Sequence, residues 1–221
     1  MSKVDEGEVA HWRHLLASKS EYVIGCAEVG MGAWAGPVYV AATIFKSTWG
    51  DPRVKDSKRY SGVNAHEKRH NVLRDVIRPN AAHMAIACMS AEKVDKNGID
   101  DTWMILMRSV ILECLSVVPD AFVVVDGSSV RGLPGLVMAL PKADNIVPAV
   151  SAASVYAKVI RDALMKRADV VYPQYGFESN VGYGTLVHET AINNTGLCPL
   201  HRRSYGPIKN YLSHGRTRRL T

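Results

Sequence analysis

The sequence predicts an α/β fold, with a central mixed β-sheet flanked by helices and a helical C-terminal extension. Three observations carry that expectation. Apolar runs of strand length come early, at residues 22–27 and 37–45. Later segments alternate between helical and strand-like patterning, the arrangement that builds layered α/β domains. The run Ala121–Val125 ends in Asp126-Gly127, which puts a carboxylate at the C-terminal end of a buried strand, where open α/β sheets present their ligands.

Each element has its own local warrant. Residues 6–18 (EGEVAHWRHLLAS) read as a short amphipathic helix that turns Trp12, Leu15 and Leu16 toward the body. An apolar strand over 22–27 enters a turn carrying Gly30, Gly32 and Gly36, and Pro37–Phe45 forms a second strand. Gly50-Asp51-Pro52 marks a loop, and residues 65–77 favour helix. Periodicity leaves 81–89 open between helix and strand; short length and flanks favour strand. Asp100 and Asp101 start a helix that Pro119 stops, and its nearly all-round apolarity predicts deep packing. Residues 150–167 and 183–195 read as helices, the second closed by Gly196 and Pro199. No repeat, low-complexity tract or linker interrupts the chain. A single domain over 1–221 is expected, with residues 1–20 as an N-terminal helical extension and about 180–221 as a helical, basic segment whose charge suits a polyanionic substrate.

Composition narrows the class. With 221 residues, 47% hydrophobic and 22% charged, the chain is globular and long enough for a real core. No apolar run reaches bilayer length and the N-terminus lacks a secretory pattern, so a soluble, cytoplasmic protein without membrane contact is expected. Cys26, Cys88, Cys114 and Cys198 form no C-x-x-C pair and read as reduced, mostly buried thiols. The net charge of +6 suits a polyanionic partner. Arg202, Arg203, Lys209, Arg216, Arg218 and Arg219 crowd a tail without acidic residues, whose last part also reads as a frayed, solvated end.

Three carboxylates stand out. Glu28 ends the first strand before the glycine turn, and Asp126 ends the later buried strand. Asp162 shares an arc of about 100° with Ser151, Ser154, Lys158 and Arg161 on the helix over 150–167, opposite a packing face of alanines and apolar residues. Each has an ordinary alternative: a tight turn for the glycines, an Asp-Gly turn for Asp126, a surface helix with an Arg161–Asp162 ion pair. Adjacent strand residues point to opposite faces, so a second carboxylate at position 27 shares a site with Glu28 only if the chain bends there. Three carboxylates around two divalent ions suit attack of water on a phosphodiester, and hard oxygen ligands favour Mg²⁺ or Mn²⁺ over zinc.

At these residues the chain resembles the ribonuclease HII family, the type 2 ribonucleases H. The family's acidic pair, glycine turn and A-G-P appear as Ala27-Glu28, Gly30-Met31-Gly32 and Ala35-Gly36-Pro37. Its D-S-K is Asp56-Ser57-Lys58, its V-D-G is Val125-Asp126-Gly127, and its A-A-S-x-x-A-K-x-x-R-D runs from Ala152 to Asp162. Its G-Y-G-T is Gly182 to Thr185, and its H-R-x-S-[FY] is His201 to Tyr205. With only about twenty residues before the first strand, the likeness is to ribonuclease HII rather than HIII.

The resemblance implies a ribonuclease H-like fold. It implies Mg²⁺- or Mn²⁺-dependent cleavage of RNA in RNA–DNA hybrids and incision 5′ of ribonucleotides embedded in duplex DNA, leaving 3′-hydroxyl and 5′-phosphate ends. It maps four metal ligands onto position 27, Glu28, Asp126 and Asp162. Backbone groups of the turn Gly30-Met31-Gly32 would read the ribose 2′-hydroxyl, and Tyr183 would stack on the sugar. Ser57, Lys58, Ser154, Lys158 and Arg202 are candidate nucleic-acid contacts. A monomer is expected. Two positions depart from the pattern. Met31 stands where the family has Arg, which removes a cationic contact. Ala27 stands where the family has an Asp that contacts both metals, so weak metal binding and very low turnover are expected. The survival of every other motif favours a single deliberate change over gradual decay. The competing expectation is a catalytically inert protein that binds RNA–DNA hybrids through the same groove.

Overall fold

The computed structural model describes residues 6–127 and 132–217. Arg218 and Arg219 of the basic tail lie outside them.

The strands are β1 (Tyr22–Val29), β2 (Val38–Lys46), β3 (His83–Met89), β4 (Phe122–Asp126) and β5 (Leu136–Leu140). Among the described residues they form one five-stranded mixed sheet in the order β3-β2-β1-β4-β5. β1 pairs parallel with β4, Val23 opposite Phe122 through Cys26 opposite Val125, and β4 pairs parallel with β5. The helices are α1 (Glu6–Ala17), α2 (Ala65–Val72), α3 (Arg78–Asn80), α4 (Ala91–Asn97), α5 (Ile99–Val117), α6 (Pro148–Val171), α7 (Phe177–Asn180), α8 (Leu186–Thr195) and α9 (Gly206–His214). A π-helical turn, Leu73–Ile77, joins α2 to α3.

The chain gathers into two compact units, neither of them a contiguous stretch, which is why no linker is visible in the sequence. The first comprises residues up to Val29, Val40–Ala87 and Met104–Val159; the second comprises Gly30–Tyr39, Cys88–Trp103 and residues from Ile160 onward.

In the first unit β1 lies between β2 and β4, so Val23 to Ala27 are all buried, a continuous apolar run rather than an alternating one. Val150, Ala152, Ala153, Val155 and Ala157 of α6 join β-strand residues such as Val23, Ala41 and Val124 in one core. Small side chains let the backbones approach. A Cβ on Gly25 would sit 2.2 Å from the Ala149 carbonyl carbon and 2.2 Å from the Val150 nitrogen. Thr43 Oγ1 donates to the Ala149 carbonyl at 2.8 Å and fastens the same helix end. Phe45 and Trp49 stack with centroids 3.6 Å apart.

The core of the second unit is Ala35, Met165, Tyr175, Phe177, Ala191, Ile192, Cys198 and Ile208. α8 begins at Leu186, three residues later than expected, because Thr185 Oγ1 caps it by accepting the His188 N–H at 3.3 Å.

Other differences have local causes. β1 continues two residues past the expected end, through Glu28, so the chain does not bend between 27 and 28. α6 extends from Pro148 to Val171, and its polar arc is buried rather than solvated. α5 is not buried all round: Ile105, Leu112 and Val117 are about half exposed. β5 and α4 escaped the sequence reading. β5 is a five-residue edge strand without alternation, and α4 is a short polar helix held by its Ser90 cap and Gly98 stop. Cys26, Cys114 and Cys198 are buried, Cys88 is exposed, and all four are free thiols. None of the described helices is long and apolar enough to cross a membrane.

The contact at Gly25 yields a test. Gly25→Ala should lower stability by about 3 kcal/mol, the scale of overpacking against backbone that cannot yield, read as a shifted urea midpoint with an unchanged slope.

Candidate active site

The first unit holds an acidic cluster at the C-terminal ends of its parallel strands. Cys26 lies opposite Val125, so the next residues along each strand are Ala27 and Asp126. Neighbours across a ladder share a face, which sets the Ala27 methyl beside the Asp126 carboxylate. Ala27 is 3% exposed and belongs to the core. Strand alternation sends Glu28 to the face opposite Ala27, at the same strand end.

Asp126 is wrapped by the turn after β5. Lys142 adopts a left-handed conformation (φ 61°), and the following Ala143 N–H donates to Asp126 Oδ1 at 3.1 Å. Asp144, in the same turn, was missed by the sequence reading. It is buried, its Oδ1 accepts from Asn145 Nδ2 at 2.9 Å, and its Oδ2 lies 3.5 Å from Lys58 Nζ. Its backbone carbonyl accepts from Ser151 Oγ of α6 at 2.7 Å. The sequence signal was faint: one Asp in a loop a few residues before a helix, where Asp commonly caps.

Burial, then the charges of Asp126 and Asp56, push the Asp144 carboxyl up to about 6, against the pull of Lys58. Burial likewise raises Asp126, and the Ala143 N–H and Lys58 only partly offset it. Burial opposes the charge on Lys58, but Asp56, Asp144 and Asp126 outweigh it and raise its pKa. These carboxylates feel one another without closing on a common point. Among the described residues no group of three or more His, Cys, Asp or Glu is arranged to hold a metal ion. The donor chemistry nevertheless fits a hard divalent cation: oxygens only, half-desolvated, and repelling each other until a cation is supplied. Position 27, beside them, contributes a methyl and no ligand.

Ser57 and Ser154, expected to touch phosphate, are instead buried and bonded to each other, Ser154 Oγ donating to Ser57 Oγ at 2.8 Å. Lys58 keeps a side chain 79% exposed and remains available to a polyanion. Lys158 is half-buried on α6.

The second unit holds the glycine turn, Asp162 and Tyr183. Asp162 is buried, and its charge acts on the neighbouring Arg161. Arg161 is itself fully buried and pairs with carbonyls: Nε donates to Pro37 at 3.0 Å, Nη2 to Ala35 at 3.1 Å and Nη1 to Val181 at 2.8 Å. Arg202, expected as a nucleic-acid contact, is fully buried and donates to the Gly36 carbonyl (3.0 Å) and the Met31 carbonyl (2.9 Å), so it shapes the turn. Gly30 takes φ +88°, and a Cβ there would strike Arg161 Nε at 2.3 Å. Gly32 is exposed, and the Tyr183 ring lies 3.9 Å from where its Cβ would be.

Tyr183 is 37% exposed with its ring 5.7 Å from the Arg161 guanidinium. Its carbonyl is the end of a buried chain. Cys198 N–H donates to His201 Nδ1 at 2.9 Å, leaving His201 Nε2 as the proton donor to His188 Nε2 at 3.0 Å; His188 Nδ1 then donates to the Tyr183 carbonyl at 2.9 Å. Burial, then the neighbouring His188, lowers His201 to about 4.

The two titrations have opposite signs. Asp144 rises on folding, so its stabilising effect is complete below about 4 and lost as pH climbs through about 6. His201 falls on folding, so its contribution is complete above about 6.5 and lost as pH drops toward 4. Without metal, Asp144→Asn should be more stable than the parent by roughly 1–2 kcal/mol at pH 7 and not at pH 4. Urea midpoints at the two pH values check this. The His201 ring should stay neutral down to about pH 4 in nitrogen-15 NMR.

A family profile described as Ribonuclease HII matches residues 24–207. The ribonuclease HII of Bordetella avium is 39% identical over 190 residues, covering 86% of this chain and 90% of that protein. In fold, the ribonuclease H2 crystal structure from Pyrococcus horikoshii superposes with a TM-score of 0.68 at 20% identity, over 88% of this chain and 98% of that one. Bst-RNase HIII, solved in complex with Mn²⁺, gives a TM-score of 0.68 at 18% identity, over 98% of this chain and 77% of that one. The fold is ribonuclease H-like, and the chain belongs to the ribonuclease HII family of hydrolytic nucleases.

Proposed function

We propose that this protein is built to hydrolyse the RNA strand of RNA–DNA hybrids and to incise 5′ of ribonucleotides embedded in duplex DNA, with turnover held very low by Ala27. The observation that carries this reading is the presence of two carboxylates, the half-buried Asp126 and the buried Asp144, within electrostatic reach of each other at the end of the parallel strands, next to the position where the family has an Asp. Those two carboxylates and Glu28 would hold Mg²⁺ or Mn²⁺, and Asp162 stays in the proposal as the ligand drawn from the family motif. When bound, such ions activate water and stabilise the leaving oxygen.

The chain's own residues do the rest. Asp126 is kept ready by burial and by the Ala143 N–H, and Asp144 by burial, the Asn145 side-chain amide and Lys58. Lys58 and Lys158 neutralise phosphate charge. The turn Gly30-Met31-Gly32 reads the 2′-hydroxyl through its backbone, and Tyr183 stacks on the adjoining sugar. Water adds at phosphorus, the bond to O3′ breaks, and the ends are a 3′-hydroxyl and a 5′-phosphate. Mn²⁺ binding by the structural neighbour supports the choice of a hard divalent ion. The second reading, an inert binder of RNA–DNA hybrids, is favoured by one observation: Ala27 packs as an ordinary core residue.

Ala27→Asp separates them. It should raise Mg²⁺-dependent incision of a duplex carrying one ribonucleotide by about a thousandfold, a barrier change of about 4 kcal/mol. A folded, substrate-binding Ala27→Asp protein that stays inert would leave the binding reading standing. In the Ala27→Asp background, Asp144→Asn should abolish both activity and the Mn²⁺-induced rise in melting temperature. If Asp162→Asn does so and Asp144→Asn does not, the fourth ligand is Asp162. Lys58→Ala should reduce the salt slope of duplex binding by about 1.

A further inference from the structure

We propose that Tyr205 and Arg202 are positioning residues for ribose recognition: they grip the Met31 carbonyl from the buried side and so aim the Gly32 N–H at the sugar. This deepens the proposed reading of the glycine turn and rests on it.

The Met31 carbonyl oxygen accepts from Arg202 Nη1 at 2.9 Å and also from the Tyr205 hydroxyl. The same Nη1 donates to the Tyr205 hydroxyl oxygen at 2.8 Å, and the Tyr205 ring lies 5.0 Å from the guanidinium. Two groups, themselves hydrogen-bonded to each other, thus lock one peptide plane. No cis peptide bond occurs among the described residues, and in a trans peptide the C=O and N–H point in opposite directions. Fixing the Met31 oxygen toward buried Arg202 therefore directs the Gly32 N–H away from it. Gly32 is exposed and flanked by the Tyr183 ring. A 2′-hydroxyl there gains a donor of fixed orientation, and a deoxyribose offers nothing to accept it.

The loop that carries Arg202 and Tyr205 is itself clamped. The Asp95 carboxylate accepts from the backbone N–H groups of Arg203 (2.7 Å) and Ser204 (2.9 Å) and from the Ser204 hydroxyl (2.6 Å). His201, at the start of the loop, holds the Tyr183 carbonyl through His188. One loop, His201–Tyr205, thereby anchors both groups proposed to face the sugar. The side chain at position 31 takes no part, so its being Met leaves this device intact.

The test uses the full chain and two duplexes of one sequence, one carrying a single ribonucleotide and one all DNA, with dissociation constants from fluorescence anisotropy. Tyr205→Phe removes only the hydroxyl. It should cut the preference for the ribonucleotide duplex about three- to tenfold, the scale of one neutral hydrogen bond, with all-DNA affinity and melting temperature unchanged. Arg202→Lys should cut it further. In the Ala27→Asp background the loss should appear in KM for the ribonucleotide duplex. If folded Tyr205→Phe keeps the parent's preference, or weakens both duplexes equally, the inference is overturned. If the parent shows no ribose preference, the proposed function fails first, by a different observation. Should Arg202→Lys fail to fold, Tyr205→Phe still decides.

Discussion

The carbonyls of Ala35, Pro37 and Val181 converge on one guanidinium, that of Arg161. Removing a guanidinium from water costs several kcal/mol, and burial draws its pKa down to about 10. The cost is offset only while those carbonyls stay in place, so the segment after the glycine turn and the segment before Tyr183 are held to a single residue of α6. The same residue explains the glycine at position 30, where any side chain would collide with it. Arg202 repeats the device on Met31 and Gly36. Irregular backbone that cannot satisfy itself in a helix or sheet is satisfied here by buried cations whose partners are carbonyl dipoles.

The acidic cluster of the first unit is the converse case. Asp56, Asp126 and Asp144 are drawn together with one lysine among them, and burial and like charge raise the last two, Asp144 to about 6. Folding concentrates like charge there at a cost to stability, the pattern expected where a protein gives up local consistency for function. The methyl at position 27 is the exception, relaxed into the core where its strand neighbour is a strained acid.

Much of the fold was legible. β-branched runs marked β1, β2 and β4; the Asp pair and Pro119 bounded α5; Gly196 stopped α8. β5 and α4 were not, because five residues without alternation and seven mostly polar ones carry almost no periodic signal. The ordered motifs were enough to identify the family. Side-chain roles were harder to read. Ser154, Arg161 and Asp162 fall on a polar arc of α6, and a polar arc normally means solvent; here it is buried, with Ser154 bound to Ser57 and Arg161 to carbonyls.

The order of β1, β2, β4, α5, α6 and α8, the glycine turn and the strand-end Asp126 follow from the amino-acid sequence alone, since each depends on sterics, hydropathy and capping within a few residues. Which groups meet was decided by tertiary structure. Asp144 comes within electrostatic reach of Asp126 in a turn where Lys142 is left-handed and the Ala143 N–H bonds the Asp126 carboxylate. Arg202 is buried because Asp95, far away in the chain, clamps the loop beside it. Burial and electrostatic pairing belong to segments brought together by folding, and no local pattern records them.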